Sequence, residues 1–306
     1  MADQQAASSE TTQNGQGRGQ QGPVMPIGGA EEKEPGGEIL ERFLELAGGD
    51  KARIAVIPTA SGEPQAGGEK YVKLFTKMGA AHADWMRIEG REDALAEQAV
   101  ELIENATGIF ITGGDQARLV ELLAGTHVME AIRDANARGA VVAGTSAGAS
   151  IVGAHMMVPG NGETGDTAAR KGMVDVVAGF GLLQDVIVDQ HFSQRGRIGR
   201  LVAVFAANPG LLAVGLDEDT AVVIDGDAKL ETLGSGMVTL LDGRTTISDY
   251  YERQDGEILS VTGSSLTVLG PGRRFDLKQR VALDVNPEAS GASSGQESGA
   301  SAGKSS

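Results

Sequence analysis

The stretch Val141-Val142-Ala143-Gly144-Thr145-Ser146-Ala147-Gly148-Ala149-Ser150 decides how the chain is read. Two β-branched residues lead into a Gly-x-Ser-x-Gly box, and a run of small residues leaves it. That order predicts a strand, a sharp turn with Ser146 at its apex and then a helix, which is the arrangement of a nucleophile elbow. Glycine on both sides suits a strained turn in which backbones approach too closely for side chains. The helix opens with N–H groups that have no acceptor within it, beginning at Ala147, so an oxyanion forming beside the serine meets ready donors. The same pentapeptide also fits a phosphate-binding turn or a loop of packed small residues, so the rest of the chain has to decide.

Outward from this stretch, short apolar runs alternate with amphipathic segments. Pro23 to Ile27 approaches a Gly28-Gly29 turn, and a helix is predicted from about Gly37 to Ala47. Arg53 to Thr59 reads as a buried strand closed by Pro58, 68–79 as a helix, His82 to Ile88 as a strand and 92–105 as a helix. Gly108 to Thr112 is a strand running into Gly113-Gly114-Asp115-Gln116, with helices at about 115–124 and 127–138 before the elbow. Strands alternating with helices of this length imply parallel pairing through right-handed crossovers, an α/β fold. Beyond the elbow, Pro159 to Gly172 reads as a polar loop and Met173 to Val177 as a short helix. Strands follow at 186–188 and 211–216, with a helix over Arg195 to Ala207 between them. From Thr220 to Leu277, apolar runs alternate with Asp-Gly and Gly turns, which predicts an antiparallel portion built onto the parallel sheet.

The 306 residues are 41% hydrophobic, enough for one good-sized core, and a single domain over 23–287 is expected. Residues 1–22 and 288–306 are mostly Ser, Gly, Ala, Gln and Glu, too polar to offset their ordering entropy, and read as disordered tails. There is no cysteine, so neither a disulfide framework nor thiol chemistry is available. The first residues lack the apolar core of a secretory leader, and no run of about 18 apolar residues is present. A soluble, cytoplasmic protein without membrane contact is expected. The net charge is −16, of which −10 falls on residues 39–283. That balance would repel nucleic acid and favours a soluble protein or a cationic ligand.

Ligands of open parallel sheets bind at the carboxyl ends of strands. Four such ends carry polar clusters: Gly113 to Gln116, Ser146, Asp189 to His191, and Asp217 to Asp219. A serine needs a base, and imidazole is the side chain matched to neutral pH. Of four histidines, His82 starts a strand, His127 opens a helix and His155 follows the elbow helix, so each reads as a surface or packing residue. His191 lies just past a buried strand, at the sheet end expected for Ser146. A carboxylate must hold its far nitrogen, and Asp217, Glu218 and Asp219 are alternatives that the pattern leaves open. No metal site and no cofactor is expected.

Four separated motifs carry a resemblance: Phe110 to Gln116, Ala143 to Ala149, Val188 to Phe192 and Gly215 to Ala221, preceded by Gly28 to Lys33. In this order, over about residues 24 to 284, the chain resembles the cyanophycinases, serine peptidases related to peptidase E, an aspartyl dipeptidase. The resemblance implies a Ser146, His191, Glu218 triad in a three-layer sandwich with a mostly parallel central sheet, like that of the class I glutamine amidotransferases. It implies an exopeptidase acting on cyanophycin, a poly-aspartate whose side chains carry arginine through isopeptide bonds, with β-aspartyl-arginine as product. Substrate binding would fall to Gln116, Asp189, Gln190 and Arg197, with Arg200 a helical turn further on; Asp189 would accept a substrate guanidinium and the arginines would hold carboxylates. Gly114 and Ala147 are the expected oxyanion donors. A homodimer is expected. The other readings are a peptidase E-like dipeptidase and a non-catalytic polymer-binding relative.

Overall fold

β1 (Val24–Ile27) is the strand on which two halves of a sheet meet. The computed structural model describes residues 21–160 and 167–284. The expected tails therefore lie outside the described residues except for Gln21 and Gly22, which are already anchored: the Gln21 amide donates to Asn136 Oδ1 at 3.0 Å and Gly22 N to Asn136 O at 2.8 Å. Residues 161–166 of the expected polar loop are also outside them.

After β1 come α1 (Glu38–Leu46), β2 (Arg53–Ile57), α2 (Pro64–Lys77), β3 (His82–Trp85), α3 (Arg91–Leu95), α4 (Glu101–Glu104), β4 (Gly108–Ile111), α5 (Gln116–Leu123), α6 (His127–Ala137), β5 (Val141–Thr145) and α7 (Ala147–Ile151). Local chemistry sets most of these boundaries. Pro64 opens α2, where its missing N–H costs nothing, and the Asp115 carboxylate caps α5 by accepting from Ala117 N at 2.8 Å. Ile39, Leu40, Phe43 and Leu44 form the buried face of α1. The single helix expected over 92–105 is instead broken at Ala96, whose backbone is extended (φ −74°, ψ 137°).

The chain continues through β6 (His155–Pro159), β7 (Val174–Ala178), β8 (Val186–Asp189), α8 (Ile198–Ala207), β9 (Leu212–Leu216), β10 (Thr220–Ile224), β11 (Lys229–Gly234), β12 (Val238–Asp242), β13 (Ile247–Ser248), β14 (Val261–Thr262), β15 (Ser265–Leu269), β16 (Arg274–Asp276) and β17 (Val281–Ala282). The short helix expected at Met173 to Val177 is β7, paired antiparallel with all of β6. Its valines suit a pleated ladder once a partner strand is present. α8 also begins later than expected, at Ile198, because a 3₁₀ turn over Ser193–Arg195 ends in left-handed Gly196 (φ 59°).

The nine-stranded sheet runs β17-β16-β11-β10-β1-β5-β4-β2-β3. β1, β5, β4, β2 and β3 are parallel neighbours, and β10, β11, β16 and β17 extend the sheet antiparallel from β1. α1 and α2 cover one face, where Phe43 and Phe75 each pack edge to face on Phe110, with ring centroids 5.4 and 5.3 Å apart, and meet each other tilted at 5.3 Å. On the other face α5, α6 and α7 cover the parallel half, giving helix, sheet and helix layers. The strands 186–188 and 211–216, expected to finish at the same sheet end as the Ser146 strand, do not join this sheet. β8 and β9 pair parallel with each other in a second sheet, β15-β12-β9-β8, whose inner residues Val214, Leu216, Val238 and Leu240 join the core cluster of Val222 and Ile224. α8 covers its outer face through Leu201, Val204 and Phe205. The antiparallel extension begins with β10 on the β1 edge of the parallel half, so that edge is already paired.

Candidate active site

The carboxyl ends of the two sheets meet at the loop after β1. Ser146 N donates to Ile27 O at 3.0 Å, His191 N to Gly28 O at 2.9 Å and Asp219 N to Gly29 O at 2.8 Å. Three consecutive carbonyls thus hold the ends of β5, β8 and β9. The sequence showed Gly28-Gly29 only as a turn. Its role follows from close approach: a Cβ on Gly29, at φ 101°, would stand 2.4 Å from His191 Cε1, so glycine leaves room for the ring.

The elbow forms as expected. Ser146 sits at φ 54°, ψ −113°, between β5 and α7. The flanking glycines answer real contacts, since a Cβ on Gly144 would lie 2.1 Å from Gly148 O and one on Gly148 2.4 Å from Ile111 O. Such a conformation at a non-glycine residue is costly and persists only where the surroundings enforce it. α7 is buried along its whole length, which is what enforces it here. Gly113, at the end of β4, lies against the serine: a Cβ there would be 3.6 Å from Ser146 Oγ. Gly114 follows it, exposed and at φ 145°.

Ser146 Oγ lies 2.9 Å from His191 Nε2, and His191 Nδ1 lies 2.7 Å from Glu218 Oε1. Like Ser146, His191 has a positive φ (48°). Glu218, its side chain 39% exposed, receives support that the sequence did not signal: its backbone N–H donates to Gln194 Oε1 at 3.1 Å. The two flanking aspartates have other partners. Asp217 accepts from Ser193 N at 3.0 Å and Met237 N at 3.1 Å, and Asp219 from the Ser235 hydroxyl at 2.8 Å. His82, His127 and His155 are all exposed. Burial, chiefly, holds the His191 pKa below the ordinary imidazole value, and the nearby charges of Arg195 and Arg197 act the same way against the opposing pull of Glu218.

The residues expected to bind substrate form one continuous chain of polar contacts. The Gln116 amide donates to Met157 O at 2.9 Å, Gln190 Nε2 donates to Gln116 Oε1 at 3.2 Å, and Arg197 Nη1 donates to Gln190 Oε1 at 3.0 Å and to Asp189 Oδ1 at 3.1 Å. Arg200 Nε stands 2.9 Å from Asp189 Oδ2, an ion pair without hydrogen-bond alignment. This corrects the role expected for Asp189. The residue is 0% exposed and both its oxygens face the chain's own arginines, so it anchors Arg197 and Arg200 and offers nothing to an incoming guanidinium. Gln190, 3% exposed, is likewise internal to the chain of contacts. Gln116, Arg197 and Arg200 are only partly buried. Among the described residues no group of three or more His, Asp or Glu is placed to hold a metal ion, and no helix is long and apolar enough to cross a membrane.

Residues 24–232, which include Ser146, His191 and Glu218, match the profile of peptidase family S51. The chain is 44% identical over 263 residues to a cyanophycinase from a Nostoc species, covering 85% of this chain and 87% of that one. It is 41% identical over 257 residues to a cyanophycinase from Geminocystis herdmanii, covering 83% and 93% respectively. A peptidase E from Nostoc is more distant, 25% identical over 231 residues. The crystal structure of a peptidase from an acI-B1 actinobacterium matches with a TM-score of 0.63 at 22% identity, covering 84% of this chain and 98% of that one, a likeness of fold. On the family profile and the relatives above 40% identity together, the chain belongs to peptidase family S51.

Proposed function

We propose that the chain is a cyanophycinase, a serine exopeptidase that releases β-aspartyl-arginine from cyanophycin. The identity to cyanophycinases supports the substrate, and the observation that carries the chemistry is the contact chain from Ser146 Oγ through His191 to Glu218. In this reading Ser146 Oγ attacks the carbonyl carbon of the scissile peptide bond while its proton passes to His191 Nε2. The tetrahedral oxyanion faces the N–H groups of Ala147, first residue of α7, and Gly114. Collapse expels the amine, which takes the proton from His191 and leaves an acyl ester on Ser146. Water, deprotonated by the same imidazole, then frees the acid. Glu218 holds Nδ1–H and stabilises the imidazolium. The lowered pKa of His191 keeps it neutral, and so a base, at pH 7.

Arg197 and Arg200, braced by Asp189, present cationic edges for substrate carboxylates, with Gln116 alongside. The reading extends to a single folded domain related to the class I glutamine amidotransferases, a cytoplasmic location and a homodimer. Leu266 (60% exposed) and Val268 (50%), on edge strand β15, are apolar surface of the kind a dimer buries.

Incubation with insoluble cyanophycin tests the activity. The protein should clear the suspension and release β-aspartyl-arginine, and Ser146→Ala should abolish both while retaining polymer binding. Cleavage of free aspartyl dipeptides without attack on the polymer would favour the peptidase E reading. Unchanged behaviour of Ser146→Ala would favour a non-catalytic polymer binder.

A further inference from the structure

One buried acid beside the elbow has no part in the chemistry above. The Glu31 side chain is fully buried. Its Oε2 accepts from Thr145 Oγ1 at 2.6 Å, its Oε1 accepts from the Tyr71 hydroxyl at 2.7 Å, and Lys33 Nζ stands 3.1 Å from Oε1. Burial and the Glu31 charge push the Tyr71 hydroxyl far above its ordinary pKa, so it stays a donor. Thr145 is the last residue of β5, directly before Ser146, and pairs in register with Ile27. Glu31 itself lies two residues beyond Gly29, in the segment whose carbonyls hold Ser146, His191 and Asp219. The next residue, Glu32, donates its N–H to Asp219 Oδ1 at 3.3 Å.

We propose that Glu31 is a positioning residue for Ser146, acting through the Thr145 hydroxyl. A carboxylate is expensive to bury unless its lone pairs are used. Here three groups use them, and two of those, Tyr71 and Lys33, fix the carboxylate so that it can fix Thr145. Ser146 is held at φ 54°, a backbone state it would leave if its neighbour were released. The Thr145 to Glu31 bond therefore clamps the turn from the strand side, as buried α7 clamps it from the helix side. This inference rests on Ser146 being the nucleophile.

The test compares Glu31→Ala, Thr145→Val, their double variant and Thr145→Ser, with Ser146→Ala run in parallel, on protein whose folded fraction is established by circular dichroism and melting. Displacement of a reacting group by about 1 Å costs on the order of 100-fold. Glu31→Ala and Thr145→Val should each lower kcat by about 10- to 100-fold with KM within about 2-fold. The double variant should lose no more than the worse single one, because Thr145→Val removes only the bond that Glu31→Ala has already broken. Thr145→Ser, which keeps the hydroxyl, should recover most of kcat. Labelling of Ser146 by a serine-directed reagent should slow in step with kcat. Folded Glu31→Ala or Thr145→Val with wild-type kcat and labelling overturns the proposal, as does a double variant losing the product of the two or a Thr145→Ser that fails to recover. Should Ser146→Ala remain active, the nucleophile assignment is what fails, and the two failures are distinct.

Discussion

His191 Nδ1 stands 2.7 Å from Glu218 Oε1, and neither aspartate beside Glu218 competes for that nitrogen. The carboxylates of Asp217 and Asp219 are taken by Ser193 N, Met237 N and the Ser235 hydroxyl. Three consecutive acids thus divide into one that faces the imidazole and two that tie loops together.

Substitution should separate these roles. Glu218→Gln keeps the shape but presents an amide to Nδ1, and kcat should fall on the order of 10²- to 10⁴-fold with little change in Tm. Asp217→Asn should do the reverse. Asparagine can accept from only one of two converging backbone N–H groups, and its own NH₂ then faces the other donor, at a cost of about 1–3 kcal/mol. Turnover per folded molecule should stay within a few-fold. Thermal melts together with kcat decide the matter, and a folded Asp217→Asn without turnover beside an active Glu218→Gln would move the acid by one position.

The pH profile should carry the signature of His191. Protonated imidazole cannot accept the serine proton, so activity is present above the His191 pKa and lost as pH falls through it. Because burial and the neighbouring arginines lower that pKa, the acid limb of kcat/KM should lie below 6.5. Arg195→Gln removes an exposed cation that disfavours imidazolium, so the limb should move upward toward 6.5. A limb above 6.5, or one that ignores Arg195, would disconnect the profile from this histidine.

The elbow was legible in the sequence because its glycines and serine answer local demands that composition alone expresses. The parallel strands were legible for a similar reason: each buried run is bounded by its own turn. What escaped was nonlocal. β8 and β9 pair in a second sheet, a choice among partners distant in sequence that the apolar run Val186–Asp189 does not express. β7 misled because five residues fit one helical turn as well as a strand until β6 is beside them. Asp189 was read as a substrate contact, and its sequence neighbours give no sign that Arg197 and Arg200 turn back onto it. Glu31 lies 114 residues from its partner Thr145, so the bond that joins them is visible only in the fold.

Asp189→Asn should expose the anchoring role. Removing a buried charge from beneath two arginines leaves both guanidiniums, each 13% exposed, without their counterion. Breaking a buried pair of this kind costs about 3 kcal/mol or more, which calorimetry or urea melts will register. With the guanidiniums released, KM for the polymer should rise more than kcat falls. If Asp189 instead met substrate directly, the variant would lose affinity while keeping wild-type stability.

The acidic surface should show itself in the salt dependence of polymer attack. Residues 39–283 carry a net −10, while each arginine of cyanophycin holds a free carboxylate near the backbone and a guanidinium at the outer end of its side chain, so an approaching acidic surface meets the cationic ends first; the buried Asp189 plays no part in that long-range field. Attraction between exposed charges is screened over roughly 8 Å at physiological ionic strength, while contacts inside a site are screened less. Approach to the insoluble polymer should therefore slow with added salt, and hydrolysis of a short soluble β-aspartyl peptide should slow less. The measurement is initial rate against salt concentration for both substrates with one enzyme preparation, so that any effect of salt on folding or on the imidazole is common to the two and cancels in their ratio. A ratio that falls steadily with salt supports steering by the acidic surface. A flat ratio removes steering and leaves the net charge as a determinant of solubility alone.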